Sequence, residues 1–124
     1  MQQSKGVINT TLQEIYTANN INLAKVKFDN VYSTEAKVTE EVKKYLNQLK
    51  PHLTYWKASD RFHPGVSDII ICFNGKFGAI ELKDDTGQPT FKQTEFLINI
   101  TLAGGFGGIC RTVRDVEKLL QKMC

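Results

Sequence analysis

The sequence predicts an α/β fold with a mixed sheet, and three observations carry that prediction. Two apolar runs, "SDIIICF" and "KFGAIELK", are joined by Asn74-Gly75, the dipeptide that most strongly marks a two-residue hairpin turn. Helical periodicity stands before and after this pair of runs. A further strand pattern, "FGGICRT", separates the last two helical stretches. The order helix, three strands, helix, strand, helix is that of an α/β domain with helices flanking a central mixed sheet.

Residues 1 to 32 are the least legible part. "TTLQEIYTANNINLAKVKF" mixes helix formers with an Asn-Asn break, and reads either as a short helix and a strand or as an arm that packs on a partner. We therefore divide the chain into an N-terminal extension, 1–32, and a domain, 33–124. In "STEAKVTEEVKKYLNQLKP", Val38, Val42, Tyr45, Leu46 and Leu49 recur at helical spacing, and Pro51 ends the helix. "LTYWKAS" is a short aromatic-rich strand, and "DRFHPG" a loop with its turn at Pro64-Gly65. After the hairpin, "DDTGQP" is a second loop in which Asp84 and Asp85 cap a turn. Thr90 and Gln93 form a capping box for the next helix, which Gly104-Gly105 closes. "VRDVEKLLQKM" is the last helix, following Thr112.

Composition bounds the function classes. With 124 residues, 41% hydrophobic and 23% charged, the chain suits one compact soluble domain with a core that needs no staples. No apolar run approaches the roughly 18 residues of a membrane span, and "MQQSKGVINTT" lacks the apolar segment of a signal peptide, so a cytosolic address is the default expectation. Cys72, Cys110 and Cys124 make no C-x-x-C or Cys/His ligand spacing, which argues against zinc and for buried free thiols. A net charge of +3 permits an anionic partner without requiring one.

Counting outward from Asn74-Gly75 places Phe73 opposite Lys76, Ile71 opposite Gly78 and Asp68 opposite Glu81. Side chains alternate along a strand, so Lys83 shares the face of Glu81. Both faces of the hairpin are apolar, which predicts a central pair covered on both sides. Opposed like charges destabilise a sheet, and partial burial sharpens the conflict. A bound proton, the Lys83 ammonium or a cation would relieve it. Polar residues at strand ends often simply meet solvent, but three in register on one face point to chemistry. Two carboxylates and a main-chain carbonyl suit Mg²⁺, which completes its shell with water and phosphate oxygens.

These residues resemble the PD-(D/E)XK nuclease superfamily, in particular its virus-type replication-repair nuclease (VRR-NUC) domains and, more distantly, the archaeal Holliday-junction resolvases. The resemblance rests on "GVSD", "GKFGAIELK", "GQPTFKQ" and "AGGFGGICRTVRDV" in that order, and spans roughly residues 33 to 120. One departure is Ser67, where the family favours proline. The resemblance implies a restriction-endonuclease-like αβββαβ core. It implies that Asp68, Glu81 and the Leu82 carbonyl bind Mg²⁺ or Mn²⁺, and that Lys83 orients the attacking water and stabilises negative charge. It further implies a glutamate from the first helix: Glu35 is the first choice, with Glu40 and Glu41 as alternatives.

The implied activity is metal-dependent hydrolysis of DNA phosphodiesters, selective for branched or junction structure, in replication, repair or recombination. Gln93, Arg61, His63, Lys57 and Lys92 are candidate DNA contacts, as is Arg111. Gln93 has the capping box as an equally good occupation, and a loop residue such as His63 is as readily only solvated. The resemblance also suggests a homodimer, helicase or other repair proteins as partners, and a viral or prophage origin in the host cytoplasm. The alternative is a non-catalytic nucleic-acid-binding or inhibitor protein on a retired nuclease fold, whose sign would be a lost metal ligand.

Overall fold

The computed structural model describes residues 9–58 and 65–124, so the loop candidates Arg61 and His63 lie outside the described residues. The elements run α1 (Leu12–Ala18), a 3₁₀ turn (Leu23–Lys25), α2 (Glu35–Gln48), β1 (Leu53–Lys57), β2 (Ile69–Phe73), β3 (Lys76–Leu82), α3 (Phe91–Leu102), β4 (Phe106–Cys110) and α4 (Val113–Lys122). The sheet has the order β1-β2-β3-β4. β1, β2 and β3 are antiparallel neighbours, and β4 runs parallel to β3. This is the expected mixed sheet, with the hairpin at its centre.

Local chemistry fixes the ends of the elements. Asn74 and Gly75 have φ of 54° and 72°, the left-handed pair that a tight hairpin demands. Thr34, Thr90 and Thr112 cap α2, α3 and α4 through their side chains, each accepting a main-chain N–H three residues on. Asp84 Oδ1 accepts from the N–H groups of Thr86 and Gly87 at 3.1 and 2.7 Å, so this aspartate turns the chain after β3.

One face of the sheet carries the core. Ile69, Ile71, Phe73, Ile80, Leu82 and Cys110 meet Val38, Val42, Tyr45 and Leu46 of α2 and Val116 and Leu120 of α4. Leu12, Ile15 and Tyr16 of α1 join the same cluster. Residues 21 to 28 contain the 3₁₀ turn where a strand was one expectation. The described part of the N-terminal segment packs on the chain's own core. A small polar network secures it: Tyr16 donates to Glu117 Oε2 at 2.7 Å, and Arg114 bridges Glu117 and Asp29 at 2.5 and 3.2 Å. Asn74 also exchanges hydrogen bonds with the main chain of Thr10 at 2.8 and 3.0 Å, tying the hairpin tip to the start of α1.

The other face departs from expectation. α3 packs chiefly on β4 and β3, and the β1–β2 half is more open. Trp56 of β1 is exposed there, as is Phe77 near the start of β3. So is Cys72, which the sequence had placed in the interior; Cys110 alone of the three free thiols is buried. Strand alternation turns Cys72 to the α3 side of the sheet, in the half that α3 leaves uncovered.

Gly78 lies on the core face opposite Ile71. A methyl group there would come within 2.5 Å of Ile71 Cγ1 and 3.1 Å of Met123 Cε. Gly78→Ala is therefore expected to lower stability by about 1–3 kcal/mol through overpacking, read as a lower urea midpoint. Gly108→Ala is the control, because its added carbon would meet nothing closer than Leu119 at 3.6 Å; it should shift the midpoint far less.

Candidate active site

The observed register pairs Phe73 with Lys76, Ile71 with Gly78 and Ile69 with Ile80, and one further step sets Asp68 beside Glu81. Asp68 ends the segment that enters β2, and Ala58 donates its N–H to the Asp68 carbonyl at 2.8 Å. The turn into that segment needs a glycine. Gly65 has φ of +97°, and a side chain there would collide with Lys92 Cβ at 2.9 Å. Ser67, which stands where the resembling family has proline, is fully buried, and its hydroxyl has no partner.

The two carboxylates are held differently. Asp68 Oδ2 accepts the N–H of Leu82 at 2.8 Å, and Asp68 Oδ1 lies 3.8 Å from Lys57 Nζ. Glu81 is 1% exposed, and its Oε1 is buried without a hydrogen-bond partner. Its other oxygen lies 3.6 Å from Lys83 Nζ. Lys83 is itself buried, and its ammonium is also 3.7 Å from Glu35 Oε1. Burial, followed by the neighbouring Asp68 carboxyl, pushes the Glu81 pKa up to about 8; Lys83 opposes the rise.

The structure thus brings Glu35, Asp68, Glu81, Lys83 and Lys57 together at one end of the sheet. Glu40 and Glu41 are elsewhere along α2, in ion pairs with Lys37 and Lys44. Gln93 Oε1 accepts from Thr90 N–H at 2.8 Å, so the capping box exists and occupies the carbonyl end of the amide. Lys92 lies against Gly65, next to the segment that leads to Asp68. Arg111 donates to the Asp84 carbonyl at 2.6 Å, an anchoring bond for the loop after β3. Sequence counting did not reveal the contact of Lys57 with Asp68. No tight turn links β1 to β2, so their register had no marker.

Among the described residues, no three His, Cys, Asp or Glu side chains converge as a metal cluster. The donor set is a pair of carboxylates and the main chain of Leu82. In a strand, the N–H and C=O of one residue lie on the same edge, so the Leu82 carbonyl shares the edge whose N–H faces Asp68. Hard oxygen donors and a buried, unpartnered carboxylate oxygen fit a small divalent cation.

In the metal-free protein, Glu81 keeps a proton that the unfolded chain releases near its ordinary value of 4.5. The folded state therefore binds more protons between about pH 4.5 and 8, and this group's contribution to stability falls as pH rises through that window. The slope is at most ~1.4 kcal/mol per pH unit. Denaturant titrations in EDTA should show Glu81→Gln gaining on the wild type from about pH 5 to pH 8. Parallel profiles would refute the shift.

No family model and no curated protein matches the chain. A solved structure described as "VRR_NUC domain" does resemble it, with a TM-score of 0.58 at 20% identity, covering 70% of this chain and 94% of that one. At this identity the likeness is one of fold. The chain has the fold of a VRR-NUC domain, with Asp68, Glu81 and Lys83 at the end of its central hairpin.

Proposed function

We propose that the protein is a metal-dependent nuclease that hydrolyses DNA phosphodiester bonds, with Asp68, Glu81 and Lys83 as its centre. The observation that carries this reading is the buried Glu81 oxygen left without a partner beside a second carboxylate and an ammonium, on a VRR-NUC fold. Evolution rarely leaves such an atom unsatisfied in a core, because the desolvation cost goes uncompensated. A ligand that binds there resolves the conflict.

Asp68, Glu81 and the Leu82 carbonyl would hold Mg²⁺ or Mn²⁺. When bound, such a cation polarises a phosphate and lowers the pKa of its water. The chain's own groups do the rest. Lys83 presents a positive charge next to Glu81, where it would stabilise the charge that develops on phosphate oxygens. Glu35, half-exposed at the start of α2 and 3.7 Å from Lys83 Nζ, orients that ammonium. Lys57 balances Asp68 until substrate arrives, and Lys92 and Gln93 at the start of α3 would contact the DNA backbone. Among the described residues no base-reading helix accompanies the site, which favours recognition of DNA structure, such as branches or junctions, over sequence. A homodimer would supply two sites to such a substrate.

The test is cleavage of end-labelled duplex, single-stranded, flap and four-way-junction DNA with Mg²⁺ or Mn²⁺. Cutting is expected only with metal, and Glu81→Ala or Lys83→Ala should each reduce it by ~10²-fold or more. Glu35→Gln should cost less, about tenfold, because it acts through Lys83. Metal-independent cutting, or full activity in Lys83→Ala, would overturn the proposal.

A further inference from the structure

The open half of the sheet lies on the same face as the acidic pair. Cross-strand pairing sets Trp56 beside Ile70, which pairs with Ala79, and Thr54 beside Cys72, which pairs with Phe77. The next row along this face holds Ala58, Asp68 and Glu81. Trp56 is therefore the diagonal neighbour of Asp68, about 7–8 Å away by sheet geometry. It is the chain's single tryptophan and is 70% exposed. Phe77, on the same face one row further back, is 45% exposed. Cys72 between them is exposed and Ile70 half-buried.

A large indole left in water on a strand is costly unless something covers it. The surroundings identify the occupant. Lys57 and Lys83 lie at the Asp68 end of this surface, and Lys92 flanks the segment entering β2. Lys57 and Lys83 are already paired with carboxylates, so the occupant follows from continuity with the proposed nuclease centre. A substrate strand whose phosphate sits at Asp68 and Glu81 runs beside the Trp56 row, where its bases can stack on the aromatic faces. A base offers its face to a side chain only when it is out of the duplex stack. The separation of Trp56 from Asp68 is about the reach of one nucleotide.

We propose that Trp56, with Phe77 and the Ile70–Cys72 surface, is a stacking platform for the unpaired nucleotides next to the scissile phosphate. It makes DNA with a single-stranded segment at the cut the preferred substrate. The proposal rests on the nuclease reading and assigns Trp56 a role in choosing the substrate.

With one tryptophan, the indole reports directly. Full-length protein in EDTA at fixed salt is titrated with the single strand dT15 and with a blunt hairpin duplex. Binding is followed by tryptophan emission and by anisotropy of labelled DNA. The expected result is quenching by dT15 and a dT15-to-duplex affinity ratio that falls about tenfold in Trp56→Ala. Trp56→Phe, which keeps an aromatic face, should restore most of the ratio. An unchanged ratio in Trp56→Ala, or emission unmoved when anisotropy shows dT15 saturated, would overturn the platform. So would sedimentation showing that the wild type buries Trp56 in a dimer that Trp56→Ala breaks. Metal-dependent cutting that Lys83→Ala abolishes would leave the nuclease reading standing in each of these cases. Absence of both cutting and DNA binding would remove both.

Discussion

Asp68 and Glu81 meet because a two-residue turn fixes the register of the strands that carry them, and the site depends on that constraint. Register in a hairpin has a period of two, so a slip of one residue would send Glu81 and Lys83 to the core face and Ile80 and Leu82 out of it. The turn is secured twice. Asn74 and Gly75 adopt the left-handed conformations it needs. The Asn74 amide is also bonded to Thr10 and to the Met123 carbonyl, so both ends of the described chain hold the hairpin tip. The core then acts as a ruler. Ile69, Ile71 and Phe73 on β2 and Ile80 and Leu82 on β3 bury the same face, and no other pairing buries them all.

Burial and chemistry are in tension at the end of that ruler. The pair is not symmetric. Asp68 has an N–H and an ammonium for its two oxygens, whereas Glu81 has Lys83 near one oxygen and no hydrogen-bond partner at the other, with the Asp68 carboxyl as its neighbour. Each is an acid beside an acid, but the cost falls on Glu81, whose pKa rises to about 8. Lys83 carries a related strain: it is buried with Glu81 and Glu35 on either side. Buried charges persist when paired or when a ligand completes them, and here the pairing is incomplete by one oxygen.

The parts legible in the sequence are those set by local rules. The caps at Thr34, Thr90 and Thr112, the Asn74-Gly75 turn and the hairpin register follow from residues within a few positions of one another. The order of elements follows from periodicity, and the central place of the hairpin from its apolar faces. Long-range packing sets the burial of Cys72, which was misread. Whether Cys72 is covered depends on where α3 lies, and α3 sits over β3 and β4. Leu23–Lys25 lies in a stretch where a strand was one expectation but forms a 3₁₀ turn, because Leu, Ala and Lys favour helical backbone and Asn22 caps the turn. Glu35, the first choice over Glu40 and Glu41 from the apolar face of α2, is the one whose carboxylate lies near Lys83.

The open half of the sheet follows from the same economy of helices. α2 and α4, with α1 behind them, cover one face, but among the described residues α3 alone serves the other. It packs where β4 is lined by small residues: a side chain at Gly107 would meet the Leu97 carbonyl of α3 at 3.1 Å. Close approach over β4 keeps the helix away from β1, where the bulk of Trp56 stands clear on the same face. Had α3 lain centrally, it would have covered the row of Ile70 and Ala79 and closed the surface beside Asp68. The glycines of β4 therefore do more than seat a helix. By drawing α3 to one side, they leave the acidic pair at the border of the exposed surface that carries Trp56, and a buried constellation of charged groups needs such a border if a large ligand is to reach it.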